Sequence, residues 1–529
     1  MSKHTIAELF QPHIFPSQTV PEFVRFALLL NESDLPMRAS GEPLRYLELG
    51  PGQKERINIH AAALPEWQFY GVGDLPDNAQ QAQRTAMAAG LDSLVFDMSI
   101  ETLAELGVHS DLPLFDIIAI ESIWSSTNEE GRQHLLSVLG RHLKIGGIVC
   151  LGYHAMPGCA PLVPLRDLML QQTAASDDGE TDPLAMLHAL NFTDIYASAS
   201  DSGFFSEMPS SKMFLESIKH TPFEQLQKDW LNPDWTPFYF ADMAQHMDGV
   251  RCNFVASLKL ASQLDMCLPE GVVPILHREE DSILRETIRD FGLNQQTRLD
   301  LFARGVSKIS PETVIQRMDA MAFCLTLPLP AINALSLSAP MGELHFDDEM
   351  YTHFLQALSE DSYRPKTLAE LKKHRKLETL DSALFPAVIN ILVAAGAVFP
   401  ARTSVSAEAE KSCARLNRIL CEYSRDGNVQ PALASPVLGS GIGLSRIWQL
   451  FLLAYADGAT DPHICSKTVL PFIHQAAGPV SAGSETLSTD VQNNDAQILA
   501  SLEAEADIFF EIGLPYLAAM KAIPDTQPM

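Results

Sequence analysis

Glu48, Gly50 and Gly52, in the stretch Arg45-Tyr-Leu-Glu-Leu-Gly-Pro-Gly-Gln-Lys54, carry the pattern with the clearest chemical consequence. The apolar residues before them read as a buried strand. Glycine lets the backbone bend sharply and come close to a bound ligand. A second strand, Trp67-Gln-Phe-Tyr-Gly-Val-Gly73, follows after a helix-length interval. Strand, glycine turn, helix, strand opens a doubly wound α/β domain, whose ligands sit beyond the carboxyl ends of the strands. The chemistry expected there is the cradling of a nucleoside. Two other patterns invite a chemical reading. Gly439-Ser-Gly-Ile-Gly443 has the glycines of a phosphate loop, but no apolar strand before it and no Lys-Ser/Thr after it, so it reads as a helix-entry turn. Lys366 to Lys376 holds five Lys or Arg residues, a short basic face that reads as solvated rather than as a DNA contact.

The elements that must position such residues are bounded by composition. The 529 residues suffice for two to four domains, and a hydrophobic share of 46% suits a globular protein. Lys and Arg number 37 against 66 Asp and Glu, a net charge of −29. Such a surface repels nucleic acid and anionic membranes and favours basic partners. The eight cysteines form no C-x-x-C, which predicts buried free thiols in a reducing compartment, with no disulfide frame and no metal site. The amino terminus has no apolar signal core, and the apolar run from Ala383 to Ala401 is interrupted by Pro386, Asn390, Gly396 and Pro400. A cytoplasmic protein without stable membrane insertion is expected.

Along the chain, residues 1–40 read as a helical lead-in. The α/β unit occupies 41–158, with strands at Tyr46–Leu49, Phe69–Val72, Ser93–Phe96, Phe115–Ile120 and Gly147–Gly152 and helices at Ala79–Ala89 and Glu130–Leu143. Residues 159–330 read as mostly helical, with Asp177-Asp-Gly-Glu-Thr-Asp-Pro183 as a solvated acidic loop. Residues 331–529 form a third domain. There a Thr367–Glu370 capping box, a second helix near 381–395 and the strand Gly396-Ala-Val-Phe399 suggest a winged-helix-like arrangement. Residues 478–495 read as a mobile loop before a last helix.

With these elements in place, the chain resembles class I S-adenosylmethionine-dependent methyltransferases, and more narrowly the bacterial family in which that Rossmann-like domain precedes a methyltransferase regulatory domain. Rickettsial-type protein-lysine methyltransferases of outer-membrane proteins belong to it. The matching motifs are Tyr46-Leu-Glu-Leu-Gly-Pro-Gly52, Phe115-Asp-Ile-Ile-Ala-Ile-Glu-Ser122, Leu143-Lys-Ile-Gly-Gly-Ile-Val149 and Tyr153-His-Ala-Met-Pro-Gly158. The most specific are Trp230-Leu-Asn-Pro-Asp-Trp-Thr-Pro-Phe-Tyr-Phe240, Arg289-Asp-Phe291 and Arg298-Leu-Asp-Leu-Phe-Ala-Arg-Gly305, and Ser435-Pro-Val-Leu-Gly-Ser-Gly441 extends the match.

The resemblance implies a three-part cofactor site. Glu48, Gly50 and Gly52 pack against the methionine part, Gly73 or Asp74 takes the ribose, Asp97 or Ser99 takes the adenine amine, and Glu121 and Ser122 face the methyl group. Glu121, Tyr153 and His154 are the candidates that assist deprotonation of an acceptor lysine. Trp230, Asp234, Trp235 and Tyr239 are candidates to line the acceptor cleft, since aromatic rings with a carboxylate suit a cation. The expected partner is a protein substrate with basic residues, an envelope protein among the candidates, and a homodimer is compatible. Lys54, Gly73 and Ser99 depart from the family pattern. They support the alternative of a degenerate, cofactor-less methyltransferase-like protein serving as an interaction module.

Overall fold

The structure is a computed structural model that describes residues 17–35, 42–50, 55–74, 76–107, 112–121, 123–174, 183–199, 203–219, 226, 231–305, 308–332, 335–340, 342–346, 348–428, 430, 432–475 and 491–526. Its centre is a seven-stranded sheet. The strands are β1 (Leu44–Leu49), β2 (Trp67–Gly73), β3 (Leu94–Asp97), β4 (Phe115–Ile120), β5 (Leu143–His154), β6 (Asn253–Ser257) and β7 (Thr297–Ala303), in the order β3-β2-β1-β4-β5-β7-β6. The first five run parallel, and β7 is antiparallel to both β5 and β6. Helices α1 (Pro21–Leu30), α2 (Arg56–Ala63), α3 (Pro76–Ala89), α4 (Ile100–Leu106), α5 (Glu129–His142), α6 (Phe240–Asp248) and α7 (Ser282–Leu293) surround it.

Strand alternation divides the core between the two faces. Tyr46, Ile117, Ala119, Cys150 and Leu301 point to one face, where they join a core running from Val20 to Ala522. Leu47, Leu49, Ile118, Ile120, Leu151 and Phe302 point to the other, against Leu135 and Val138 of α5 and Met243 and Met247 of α6. The carboxyl-terminal residues are therefore a cover for the first face of the sheet rather than an appended lobe. Helix Ala407–Arg425 lies against α2 and α3, and Asn417 caps the hairpin beside it by donating to Ala434 O at 2.9 Å.

Three sequence expectations need correction. Strands β6 and β7 complete the sheet from within the stretch read as mostly helical. In β7 the buried positions include Arg298 and Asp300, so its apolar alternation is broken and the strand signal is hidden. Gly439 turns the hairpin between Ala432–Ser435 and Ser440–Gly443, and helix Arg446–Ala456 begins only after that second strand. In the carboxyl-terminal region the capping box forms, with Thr367 Oγ1 accepting from Glu370 N at 3.1 Å, and helix Leu384–Ala394 leads into strand Val398–Ala401. Its three-stranded antiparallel sheet, however, is centred on Ala322–Leu325, which precedes all of these helices, where a wing would supply a hairpin after them. Residues 478–490 of the expected mobile loop lie outside the described residues, and Val491 already begins a helix. All eight cysteines are buried and unbridged. Among the described residues no helix is long and apolar enough to cross a membrane.

Candidate active site at the carboxyl edge of the sheet

Strand β1 ends in a turn that only glycine fits. Gly50 has φ +109°, and a Cβ there would stand 2.6 Å from Ile123 Cγ2. Its N–H donates to Val72 O at 3.0 Å, tying the turn to β2. Two residues earlier, Glu48 is buried and meets the first cation of α2: Arg56 Nε donates to its two oxygens at 3.0 and 3.1 Å. Arg56 Nη1 donates to Glu121 Oε2 at 2.6 Å, and Thr19 Oγ1 donates to Glu121 Oε1 at 2.8 Å. Tyr46 completes the group by donating to Thr19 Oγ1 at 3.2 Å. Burial pushes Glu48 up while Arg56 pulls it down, and the two carboxylates hold Arg56 protonated against its own burial. Two carboxylates against one guanidinium leave this strand end anionic. Arg56 went unnamed in the sequence reading, although a buried glutamate at a strand end requires a nearby cation.

Across β2 and β3, Gly73 pairs in register with Asp97, and Met98 N donates to Gly73 O at 3.2 Å. Asp74 and Asp97 are both exposed, and neither has a hydrogen-bond or ion-pair partner among the described residues. Ser99 is differently employed. Its Oγ caps α4 by accepting from Thr102 N at 3.0 Å and lies 2.9 Å from Thr102 Oγ1, so of the two adenine-side candidates Asp97 is the available one. Gly52, Ser122 and Trp230 lie outside the described residues.

At the end of β5, neighbouring residues point to opposite faces and part company. Tyr153 is buried and donates to Asp300 Oδ2 at 2.8 Å, and burial raises its phenol well above the ordinary value. The same oxygen accepts from Arg298 Nε at 2.7 Å, while Arg298 also binds Asp290 at 2.6 Å and Glu286 at 2.7 Å. His154 instead accepts from Trp235 Nε1 at 3.0 Å through its Nδ1. An indole N–H only donates, so the neutral imidazole carries its proton on Nε2 and has no basic lone pair at that nitrogen. Burial, reinforced by Lys259, pushes the His154 pKa down to about 4, so the ring is neutral near pH 7.

Trp235 belongs to a crossing loop that closes over this edge. Thr236 N donates to Ser125 O at 2.8 Å, Asn232 Nδ2 to Ser126 O at 2.7 Å, and Phe238 N to His154 O at 2.9 Å. Arg166 stacks its guanidinium 5.5 Å above the Trp235 ring. Trp235 is thus buried scaffold that orients His154, whereas Asp234 and Tyr239 remain exposed. Tyr239 lies parallel to the ring of Phe291, 6.2 Å away at an interplanar angle of 7°. Both rings are solvent-facing, Tyr239 at 38% and Phe291 at 58% exposure. Among the described residues no group of three or more His, Cys, Asp and Glu side chains is placed to hold a metal ion.

This strand order, with β7 reversed and the glycine turn and carboxylates at one edge, defines a class I methyltransferase fold. Comparison with known proteins makes the assignment specific. The family described as predicted methyltransferase regulatory domain matches residues 223–304, which supply α6, β6, α7 and β7. Uncharacterized protein sll1526 of Synechocystis sp. is 30% identical over 480 residues, covering 90% of each chain. Uncharacterized protein RP789 of Rickettsia prowazekii is 22% identical over 287 residues, 51% of this chain and 47% of that one. The structure of PKMT2 from Rickettsia typhi in complex with AdoHcy shares the fold, with a TM-score of 0.65 at 17% identity over 94% of this chain and 98% of that one. The chain belongs to the family of class I methyltransferase-fold proteins that carry a methyltransferase regulatory domain.

Proposed function

We propose that this chain transfers a methyl group from S-adenosylmethionine to a protein substrate, with lysine as the acceptor side chain. The observation that carries the reading is the pair of unpartnered carboxylates, Asp74 and Asp97, exposed at adjacent strand ends beside the Gly50 turn. They suit the ribose hydroxyls and the adenine amine of a nucleoside, and the AdoHcy bound to the Rickettsia typhi relative supports that use. The anionic set Glu48, Glu121 and Arg56 suits a cationic ligand at the end of β1 and β4.

When bound, the cofactor supplies an activated methyl on a sulfonium, so orientation of the acceptor accounts for most of the acceleration. The chain's own contribution is then positional. Glu121, 27% exposed at its side chain, holds negative charge at the end of β4. Trp235 locks the tautomer of His154, and Tyr239 and Asp234 offer a ring and a carboxylate to a basic segment. The net charge of −29 draws such a segment to the surface.

The test is incubation with methyl-labelled S-adenosylmethionine and an array of lysine-bearing peptides, followed by hydrolysis and amino-acid analysis. Labelled methyllysine is the expected product. Label on another residue or on a small molecule would overturn the lysine assignment, and absence of all label from protein that binds cofactor would overturn transfer to peptide.

A further inference from the structure

Away from the carboxyl edge, a groove of about 820 Å3 lies between the start of helix Ala407–Arg425 and the end of helix Leu514–Ala519 with the residues that follow it. Ala414, Ala518 and Ile523 give it an apolar wall, and Asp525 N ties the wall together by donating to Ala414 O at 3.0 Å. Its place in the fold is fixed by α3. That helix leaves the carboxyl end of β2 at Pro76 and returns to Gly90 before β3 begins at Leu94, so Gly90 lies at the amino ends of the strands. Arg415, which lines the groove, lies across Gly90: a Cβ there would stand 3.3 Å from Arg415 Nη1. The groove is therefore at the far end of the strands from Asp74 and Asp97.

The charged side chains that line it are unequally engaged. Lys521 Nζ stands 3.6 Å from Glu410 Oε1, a pair that neutralises itself. Glu408 and Asp525 are the other two carboxylates, and Glu408 faces solvent in the first turn of its helix, where the helix dipole favours it. Lys411 and Arg415 have neither a hydrogen bond nor an ion pair among the described residues. They stand one helical turn apart on the same face, at a spacing where like charges repel. Lys411 is exposed, but Arg415 is half-buried and its Nε is enclosed without an acceptor. A guanidinium withdrawn from water ordinarily has a carboxylate or a carbonyl against it. Two adjacent cations without one, in a chain with 66 acidic side chains, leave a place for an anion from outside.

We propose that this groove binds a small amphipathic oxyanion. Its head group, a carboxylate or a phosphate, is held by Arg415 and Lys411, and a short alkyl tail lies along Ala414, Ala518 and Ile523. The planar fork of an arginine matches two oxygens of either head group, and a lysine adds a point charge. The bound anion offsets the repulsion between the two cations, and its tail covers the apolar wall. The site is separate from the strand ends that carry the proposed methyl transfer and does not depend on that reading.

Hexanoate and hexyl phosphate would be titrated separately into the full chain by calorimetry, with magnetisation transfer from the protein to the hexyl protons as a second readout. Binding in the millimolar range or tighter is expected, weakened about tenfold in Arg415→Gln and in Lys411→Gln, in line with the loss of one charged hydrogen bond in each. Lys411 is exposed, so its variant reports on binding even where Arg415→Gln disturbs the fold. Acetate and inorganic phosphate, which lack the tail, should bind at least about tenfold more weakly than their hexyl counterparts. Whichever hexyl ligand binds more tightly identifies the head group, and either preference supports the site. Failure of both to bind the unaltered chain, equal affinity in the unaltered chain and both variants, or equal affinity with and without the tail would overturn the proposal.

Discussion

Two guanidinium clusters sit on the same sheet and have different consequences. Arg298 is enclosed: it bonds Asp300, Asp290 and Glu286, with the rings of Phe240 and Phe254 at 4.5 and 5.8 Å. Arg289 approaches Glu286 only at 3.8 Å, and Asp290 Oδ2 and Asp300 Oδ1 have no hydrogen-bond partner among the described residues. Arg56 bridges Glu48 and Glu121 at the open edge, where Glu121 reaches solvent. The first cluster welds β7 and α7 to β5 through Tyr153. The second shapes the charge of the strand ends beside the glycine turn. Similar chemistry thus serves as scaffold where water is excluded and leaves a charged strand end where it is not.

The contrast is sharpest in variants that remove each cation. Arg298→Met strands three carboxylates in the core and should cost about 3–5 kcal/mol in chemical denaturation. Arg56→Met should cost less, about 1–3 kcal/mol, because Glu121 can rehydrate. Its main effect should be on ligand affinity, read by calorimetry with S-adenosylhomocysteine. Equal losses of stability in the two variants would erase the distinction and make the Arg56 cluster scaffold as well.

A subtler test uses pH. Burial pushes Asp290 up to about 7, with Arg298 only partly opposing it. The folded carboxyl then holds its proton across a range in which the unfolded one, with a pKa of about 4, has lost it. Asp290 therefore contributes stability below about pH 4 that is lost as pH rises toward 7. Asp290→Asn cannot titrate, so its stability relative to the unaltered chain should rise with pH over that window, with a slope of at most about 1.4 kcal/mol per unit. His154 has the opposite sign. Its pKa near 4 lies below that of an unfolded histidine, so its contribution is lost as pH falls from about 6.5 toward 4. A flat difference curve for Asp290→Asn would show that Arg298 holds the carboxylate charged.

What could be read from sequence follows from range. Strands β1, β2 and β4 and the glycine turn were legible because each is a short apolar run ending in a local signal. The Thr367–Glu370 cap was legible for the same reason. Strands β6 and β7 were not, since the chain reaches the sheet again only at Asn253 and Thr297, long after β5 ends at His154, and β7 buries an arginine and an aspartate. The partners Arg56–Glu121, Trp235–His154 and Lys259–Thr297 are 65, 81 and 38 residues apart and leave no periodic trace. Trp235 shows the limit well: an aromatic in that motif could equally be core or cleft, and it is core that fixes the tautomer of His154.

The claim on which the rest depends is that Asp74 and Asp97 bind a nucleoside cofactor at the open edge. Calorimetric titration of S-adenosylhomocysteine into the unaltered chain and into the Asp74→Asn, Asp97→Asn double variant addresses it directly. Micromolar binding that weakens at least tenfold in the double variant, with the melting temperature unchanged, is the predicted result. No binding up to millimolar ligand by folded, ligand-free protein, or equal affinity in the two proteins, would contradict it.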